Sequence, residues 1–337
     1  MKRMILAAPG GLERLRLTEV PEPAAPAPHE IRVRVAASSL NFHDFGVVSG
    51  ARALRDGLVP LSDGAGVVDA VGSQVEEFAV GDAVVSTFFP LWADGTPTHG
   101  DFSTVPGDGV DGYACEVVVR PASWFTRAPA GWSSLEAATL TTAALTAWRA
   151  LVGDGGLCAG QTVLTLGSGG VSVFALQFAK AMGARVIVTS SSDEKLARLR
   201  QLGADATINY EREPNWSREV MALTEGRGVD QVIELGGAGT LPESIASLRV
   251  GGLISLIGTV AGVAGEIPTA MLMRKQGRIG GLIVGSRRQQ QQMVRALEVT
   301  GIRPVIDRSF ALADLADAFR YESERRHLGK IGVRIAE

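Results

Sequence analysis

The chain has 337 residues, of which 46% are hydrophobic and 20% charged, with a formal net charge of −3. That is ordinary globular usage over a length sufficient for two cores, and it excludes disordered and fibrous classes. No run of like charges offers the basic footprint of nucleic-acid binding, and no apolar stretch reaches the about 18 residues of a membrane span.

The opening MKRMILAAPGG pairs two basic residues with an apolar run. The run stops after about five residues, short of the roughly 7–15 of a signal-peptide core. The PEPAAPAPHE segment at 21–30 reads as a stiff surface connection. Residues 31–35 alternate apolar and basic, the period of a half-buried strand. Further short strands are expected at 66–71, 83–85 and 113–119, divided by Gly72, Gly81-Asp82 and Asp111-Gly112. Cys115 and Cys158 are the two cysteines, too few for a disulfide framework or a thiolate metal cluster. A soluble, cytoplasmic protein is expected, with a small-molecule substrate and no nucleic-acid or membrane partner.

From about Thr162 the rhythm changes to strand, helix, strand, helix. Residues 162–166 form an apolar strand ending in glycines. Residues 171–182 carry apolar side chains at helical spacing: Val171, Phe174, Ala175, Phe178, Ala179 and Met182. A strand follows at 186–189. Ser191 with Glu194 makes a capping box for a helix ending at Gly203. Strands at 206–208, 229–234, 253–258 and 278–284 continue the alternation, which predicts an α/β fold with a doubly wound parallel sheet. The last fifty residues return to mixed character and end in a strand at 331–335.

Gly167-Ser168-Gly169-Gly170-Val171-Ser172 lies between a predicted strand and a predicted helix. In that setting Gly167 supplies a tight turn and Gly169 a bare backbone. Pyrophosphate can then approach the N–H groups at the helix start. Ser172 stands where such turns carry a third glycine, and a small serine suits the helix–strand packing required there.

The stretches SSLNFHDFGVVSG, PLSDGAGVVDAVG, VGDAVVSTFFPLWADG, AATLTTAALTAWRAL, LGSGGVSVFALQFAKAMGA, SSSDEKLARLRQLGADATINY, GRGVDQVIELGGAGTL and GGLISLIG occur in this order over nearly the whole chain. Together they resemble the medium-chain dehydrogenase/reductase superfamily, on the zinc-free, quinone-oxidoreductase-like branch often labelled zinc-type alcohol dehydrogenase-like. The resemblance implies a GroES-like, β-rich catalytic domain over 1–142, completed by 286–337. A Rossmann NADP-binding domain over 143–285 would be inserted in it, ligands would lie in the cleft between, and a homodimer is expected. The edge strand at 278–284 would pair across the dimer axis.

In zinc-bearing relatives a Cys, a His and a second Cys hold the catalytic metal; the matching positions here are Asn41, Ser62 and Thr142, and the neighbouring acid is Asp63. The loop that carries four cysteines in structural-zinc relatives has none here. Amide and hydroxyl oxygens are poor zinc ligands beside thiolate and imidazole, so a metal-free site is expected, with His43, Asp44 and His99 the remaining nearby groups. Without a Lewis acid, alkoxide chemistry gives way to substrates that are already electrophilic. Quinones and carbon–carbon double bonds conjugated to a carbonyl fit that description. Asn41, Ser62 and Thr142 are candidates to hydrogen-bond the developing oxyanion, and His43 is a candidate proton donor. His43 and Asp44 read equally well as a local hydrogen-bonded pair. Asp63 reads as a structural anchor. Phe88, Phe89 and Trp92 read either as core or as the wall of an apolar pocket.

The acidic residue that ends the second strand of NAD enzymes is replaced here by Ser190, with Ser191 beside it and Lys195 one turn on. These suit a 2′-phosphate, and Tyr210 matches a flanking position in quinone-oxidoreductase relatives, so NADP(H) is the expected cofactor. The resemblance adds Thr146, Gly167, Ser168, Gly169, Gly170, Val171, Leu235, Gly236, Gly237, Ile257, Gly258, Ile283, Val284 and Gly285 as cofactor-lining positions. Three functions remain open: an NADPH-dependent reductase of quinones or activated alkenes, an alcohol dehydrogenase or ketone reductase, and a non-enzymatic dinucleotide-binding protein.

Overall fold

The computed structural model describes residues 1–51, 54–98 and 100–336, and every count is of these. In chain order its strands are β1 (Lys2–Leu6), β2 (Leu15–Glu19), β3 (Glu30–Ser39), β4 (Ala65–Val71), β5 (Ala83–Ser86), β6 (Val117–Pro121), β7 (Phe125–Arg127), β8 (Thr162–Leu166), β9 (Arg185–Ser190), β10 (Ala206–Asn209), β11 (Val229–Glu234), β12 (Leu248–Leu256), β13 (Arg278–Gly281), β14 (Ile306–Ala311) and β15 (Lys330–Arg334). The chain divides into two compact units, Met1–Leu145 with Val284–Glu337, and Thr146–Ile283.

The first unit is a β-rich, GroES-like body. Its main sheet runs β14-β15-β3-β4-β5-β7, with β6 also paired to β3. The strand expected at 113–119 begins only at Val117. Tyr113 and Ala114 instead donate singly to Leu61 O and Pro60 O, and Cys115 makes an isolated bridge to Arg3. Valines and isoleucines on the inward face of β3 (Ile31, Val33, Val35) pack with Val68, Val84, Phe319 and Val333 into one core, as period-2 alternation dictates. The C-terminal segment joins this body through β15, antiparallel to β3 with Gly332 opposite Ser39. The helix Arg287–Thr300 joins it through Gln290, whose Nε2 donates to Ser86 O at 2.9 Å and Thr126 Oγ1 at 2.7 Å.

The second unit is the doubly wound sheet the alternation predicts. Its six strands are parallel in the order β10-β9-β8-β11-β12-β13. The order reverses between β8 and β11, the switch point at which such sheets bind ligands beyond their carboxyl ends. All five residues of β8 and all six of β11 are buried, the polar Asp230, Gln231 and Glu234 of β11 included, as befits inner strands of a sheet covered on both faces. The outer strand β13 ends at Gly281 rather than at residue 284. Three residues on, Val284 takes a φ of +47°, a region a β-branched residue cannot hold within a strand.

Candidate active site and dinucleotide site

In the second unit the turn after β8 is built as its residues suggest. Gly167 sits at φ +79°, which glycine alone adopts without strain, and its N–H donates to Thr189 O at 2.8 Å. Gly169 is the extended N-cap of the helix Gly170–Ala181. A Cβ placed on Gly169 would meet nothing within 4 Å, so the space before the helix start is open. The first N–H groups of that helix, at Gly170, Val171 and Ser172, lie beside this space and have no partner within the helix. Ser172 Oγ donates to Leu166 O at 2.6 Å, which ties the helix to the end of β8 as expected for the third position of the turn. Ser168 is buried beside it. The turn therefore fits a pyrophosphate by its backbone alone.

The end of β9 carries the three serines. Ser190 is buried and its carbonyl accepts Tyr210 N–H at 3.2 Å, which brings the aromatic residue to the serines through the β9–β10 pairing. Tyr210 is 37% exposed. The expected capping box from Ser191 is corrected by one residue. Ser192 is the N-cap of the helix Asp193–Gln201 and its Oγ accepts Lys195 N–H at 3.3 Å. Ser191 is left exposed at the strand–helix corner. Asp193, in the first turn, pairs with Arg212 and accepts Asn209 Nδ2 at 2.7 Å.

Beyond β11 the glycines are close-approach positions. A Cβ on Gly258 would lie 2.4 Å from Leu235 O, and one on Gly237 would lie 2.5 Å from Gly262 O. Gly236 and Gly237 both donate to Glu234 Oε1, at 2.7 and 3.1 Å, and Thr240 Oγ1 donates to the same oxygen at 2.6 Å. Ser244 donates to the other oxygen. Glu234, wholly buried, therefore organises the loop in which Leu235, Gly236 and Gly237 lie, and the sequence reading saw it only as a strand end. Ile257 and Gly258 both donate to Glu234 O. Thr146 is buried in the short helix Leu145–Trp148. Ile283 is 41% exposed and its carbonyl accepts Arg149 Nη1 at 3.2 Å.

In the first unit Asn41, Ser62, Asp63 and Thr142 are drawn into one polar cluster, with two residues the sequence reading missed. Asn41 caps the helix Phe42–Val48, and Asp44 reaches back so that its Oδ2 accepts Asn41 N–H at 3.0 Å and Asn41 Nδ2 at 3.1 Å. Asp44 Oδ1 accepts Ser62 N–H at 2.9 Å. Ser62 follows Leu61, a left-handed residue at φ +77°, and is wholly enclosed. Asp63 Oδ1 accepts Thr142 Oγ1 at 2.6 Å, and Asp63 Oδ2 accepts Ser39 Oγ at 2.5 Å.

The β15–β3 register, extended by two residues, sets Lys330 opposite Asn41. Its buried ammonium has three acceptors for three hydrogens: Leu40 O and Asn41 Oδ1, each at 2.5 Å, and Asp63 Oδ2 at 3.4 Å. Glu322, on the helix Leu315–Ser323, is the second residue missed. Burial and the Asp44 carboxylate push its carboxyl up to about 8, with Lys330 acting the other way. Asp44 is also raised, by burial first and by Asp63; His43 and the Ser62 donor oppose that rise.

His43 does not pair with Asp44. Both lie on one helix as neighbours, and neighbouring helical residues point about 100° apart. The His43 ring faces Asp108 instead, with Nε2 3.3 Å from Oδ2, and packs against Phe88 and Phe102 at centroid distances of 5.2 and 4.7 Å. Phe88, Phe89 and Trp92 are buried at 1–3% exposure and pack on one another as core, with Phe88 against one side of the partly exposed His43. His99 lies outside the described residues.

The donor set does not fit zinc. Asn41 Oδ1 is taken by an ammonium and the Thr142 hydroxyl donates to Asp63. Among the described residues no three His, Cys, Asp or Glu side chains converge as ligands.

Comparison with known proteins matches two family models, one described as alcohol dehydrogenase GroES-like domain over residues 27–130, the other as zinc-binding dehydrogenase over 170–299. A zinc-type alcohol dehydrogenase-like protein of Schizosaccharomyces pombe is 42% identical over 336 residues, covering 96% of each chain. A quinone oxidoreductase of Pseudomonas aeruginosa is 34% identical, covering 97% of this chain and 98% of its own. Among solved structures, one described as an NAD-dependent alcohol dehydrogenase is 35% identical over the whole of both chains with a TM-score of 0.91. A mycobacterial protein complexed with NADPH is 26% identical over 99% of both chains with a TM-score of 0.82.

Proposed function

The chain belongs to the medium-chain dehydrogenase/reductase superfamily and is an oxidoreductase of that family, and we propose that it is an NADPH-dependent reductase of quinones, or of alkenes conjugated to a carbonyl, that works without metal. In this reading residues 1–142 with 286–337 bind substrate and 143–285 bind cofactor. The observation that carries the proposal is that neutral amide and hydroxyl side chains, Asn41 and Thr142, already engaged in hydrogen bonds, stand where metal-bearing relatives place thiolate and imidazole.

When bound, NADPH supplies a hydride to the electrophilic carbon of the substrate. Negative charge then develops on the substrate oxygen, and the side chain suited to meet it is Asn41. Its Oδ1 and one Nδ2 hydrogen are already committed, and one hydrogen remains to donate. Thr142 holds Asp63 and Ser62 holds Asp44, so these two shape the cluster and keep its carboxylates oriented. His43, with its Nε2 3.3 Å from Asp108 Oδ2, returns the proton that completes a quinol or a saturated ketone, so that substrate, NADPH and one proton yield reduced substrate and NADP⁺. In the second unit the backbone of Gly167 to Val171 holds the pyrophosphate. Ser190, Ser191, Lys195 and Tyr210 read the 2′-phosphate, and Thr146, Leu235 to Gly237, Ile257, Gly258 and Ile283 to Gly285 line the rest of the cofactor.

The test is steady-state oxidation of NADPH and NADH over a panel of quinones, enals, enones and simple ketones, with alcohols and NAD⁺ or NADP⁺ in the reverse direction. Turnover of quinones or enones with NADPH supports the proposal. Turnover confined to alcohols and ketones overturns it in favour of an alcohol dehydrogenase. No turnover, with tight dinucleotide binding, overturns it in favour of a non-enzymatic binder.

A further inference from the structure

Lys330 has no place in the chemistry described so far, yet it is an almost fully buried cation beside the one side chain suited to meet the substrate oxygen. We infer that Lys330 is a positioning residue that fixes the plane and the polarity of the Asn41 amide, so that a single hydrogen on Nδ2 has one defined direction. This rests on the reductase reading in one respect only, that the hydrogen meets a substrate oxyanion.

The argument begins with which atoms can face each other. An ammonium only donates, so the atom of Asn41 that lies 2.5 Å from Lys330 Nζ must be the carbonyl oxygen. At the other end, Asp44 receives three N–H donors, from Asn41 N, Asn41 Nδ2 and Ser62 N. Three donors on one carboxyl group favour its acceptor-only, ionised form, which in turn requires Nδ2 on that side. The orientation of the amide is thus over-determined from both ends. A planar group held at two in-plane atoms loses its terminal rotation, and its remaining hydrogen is aimed before any substrate arrives. A cation on the carbonyl oxygen also draws density from the amide nitrogen, which makes that hydrogen a stronger donor.

Lys330 is itself held. Leu40 O and Asp63 Oδ2 take its other two hydrogens, and Asp63 is fixed by Ser39 and Thr142. Asp63 is therefore linked by hydrogen bonds to the Asn41 carbonyl oxygen through Lys330. Two of the positions that hold metal in zinc-bearing relatives, Thr142 and Asn41, are thus the ends of a relay of orientation that runs through Asp63 and Lys330.

Two measurements test this on the full-length protein. The first is a double-mutant cycle with Lys330→Met and Asn41→Ala, using a quinone that the wild type turns over with NADPH. Lys330→Met is expected to lower kcat roughly ten- to a hundredfold with KM changed less than about threefold, since it weakens a donor used in the transition state. In the Asn41→Ala background the same change is expected to cost less than about threefold. Equal costs in the two backgrounds overturn the inference, as does a loss confined to KM.

The second measurement needs no turnover. The chain has three asparagines, Asn41, Asn209 and Asn215, so protein labelled with ¹⁵N-asparagine shows three side-chain amide pairs, and Asn41→Ala identifies one. The two Asn41 amide protons are expected to be widely split and to draw together in Lys330→Met; an unchanged splitting overturns the inference. A wild type inert towards every quinone and enone sinks the reductase reading while this arm still decides the Lys330–Asn41 contact. Should Lys330→Met fail to fold because Asp63 is left unpaired, Lys330→Met with Asp63→Asn removes both buried charges and carries the same two readouts.

Discussion

Replacing Ser190 by aspartate tests the cofactor assignment at one atom. Ser190 is buried at the end of β9, with its Oγ 3.5 Å from Ser192 N and its carbonyl on Tyr210 N, so the new carboxylate has little freedom to turn away. One hydroxyl donor to a 2′-phosphate is lost, a charged hydrogen bond of about 1.5–3 kcal/mol. One negative charge is added about 5 Å from a doubly charged phosphate. At an effective dielectric constant of roughly 40–80 for this rim position, that repulsion is about 1.5–3 kcal/mol. Arg212 offsets little of it because its guanidinium is already paired with Asp193. Lys195, one turn into the helix that Ser192 caps, and dissolved salt offset part. The net expectation is about 2–4 kcal/mol, roughly 30- to 1,000-fold weaker NADPH binding. NADH binding should hold or improve, because aspartate accepts the ribose hydroxyls. Fluorescence titration of both cofactors on wild type and Ser190→Asp reads this directly. A wild type that prefers NADH, or a variant with an unchanged NADPH/NADH ratio, refutes the reasoning.

Three further outcomes are expected. Activity should persist in a strong chelator and elemental analysis should find no stoichiometric zinc; about one zinc per chain, with activity lost on its removal, would refute the metal-free reading. Glu322 has its folded pKa raised to about 8 from an ordinary 4.5, so the native state holds a proton the unfolded chain has released. Stability from this group is therefore full below pH 4.5 and lost as pH rises through 8. Chemical denaturation of Glu322→Gln should remove a decline on the order of 5 kcal/mol across that window, and an unaltered slope would refute it. The outer strand β13 pairs on one side with β12, and its other edge invites a second copy across a two-fold axis. Light scattering at micromolar concentration should report a dimer, and a monomer throughout would refute that expectation.

The doubly wound half was legible from its alternation of short strands with helices of apolar periodicity, and β8 and β11 have the ends their sequences suggest. The cap before the helix Asp193–Gln201 was misplaced by one residue because three consecutive serines are chemically equivalent caps. Only the pairing of Ser190 with Asn209 fixes where the strand stops. Asn41, Ser62, Asp63 and Thr142 were found through their resemblance to ligand positions, whereas Lys330 has no local signal. It is a single lysine in a strand-like run, 289 positions from Asn41, and only the antiparallel register of β15 against β3 brings the two together. Asp108 was hidden for a related reason. Its role depends on where a loop returns to His43, and neither hydrophobic period nor turn chemistry encodes that.

The same 289-residue separation imposes an order on biosynthesis. The whole of Thr146–Ile283 leaves the ribosome before Lys330 is made, so the parallel sheet can collapse while the polar cluster is still lacking its cation. Through that interval Asp44 and Asp63 have no ammonium to compensate them, and the β3 edge that β15 will cover stands open. The residues proposed to hold the dinucleotide are thus all synthesised before the polar cluster of the first unit can be completed. Completion of the cluster waits on the pairing of β15 with β3, which makes that strand the bearer of its counter-charge rather than a mere edge of the fold.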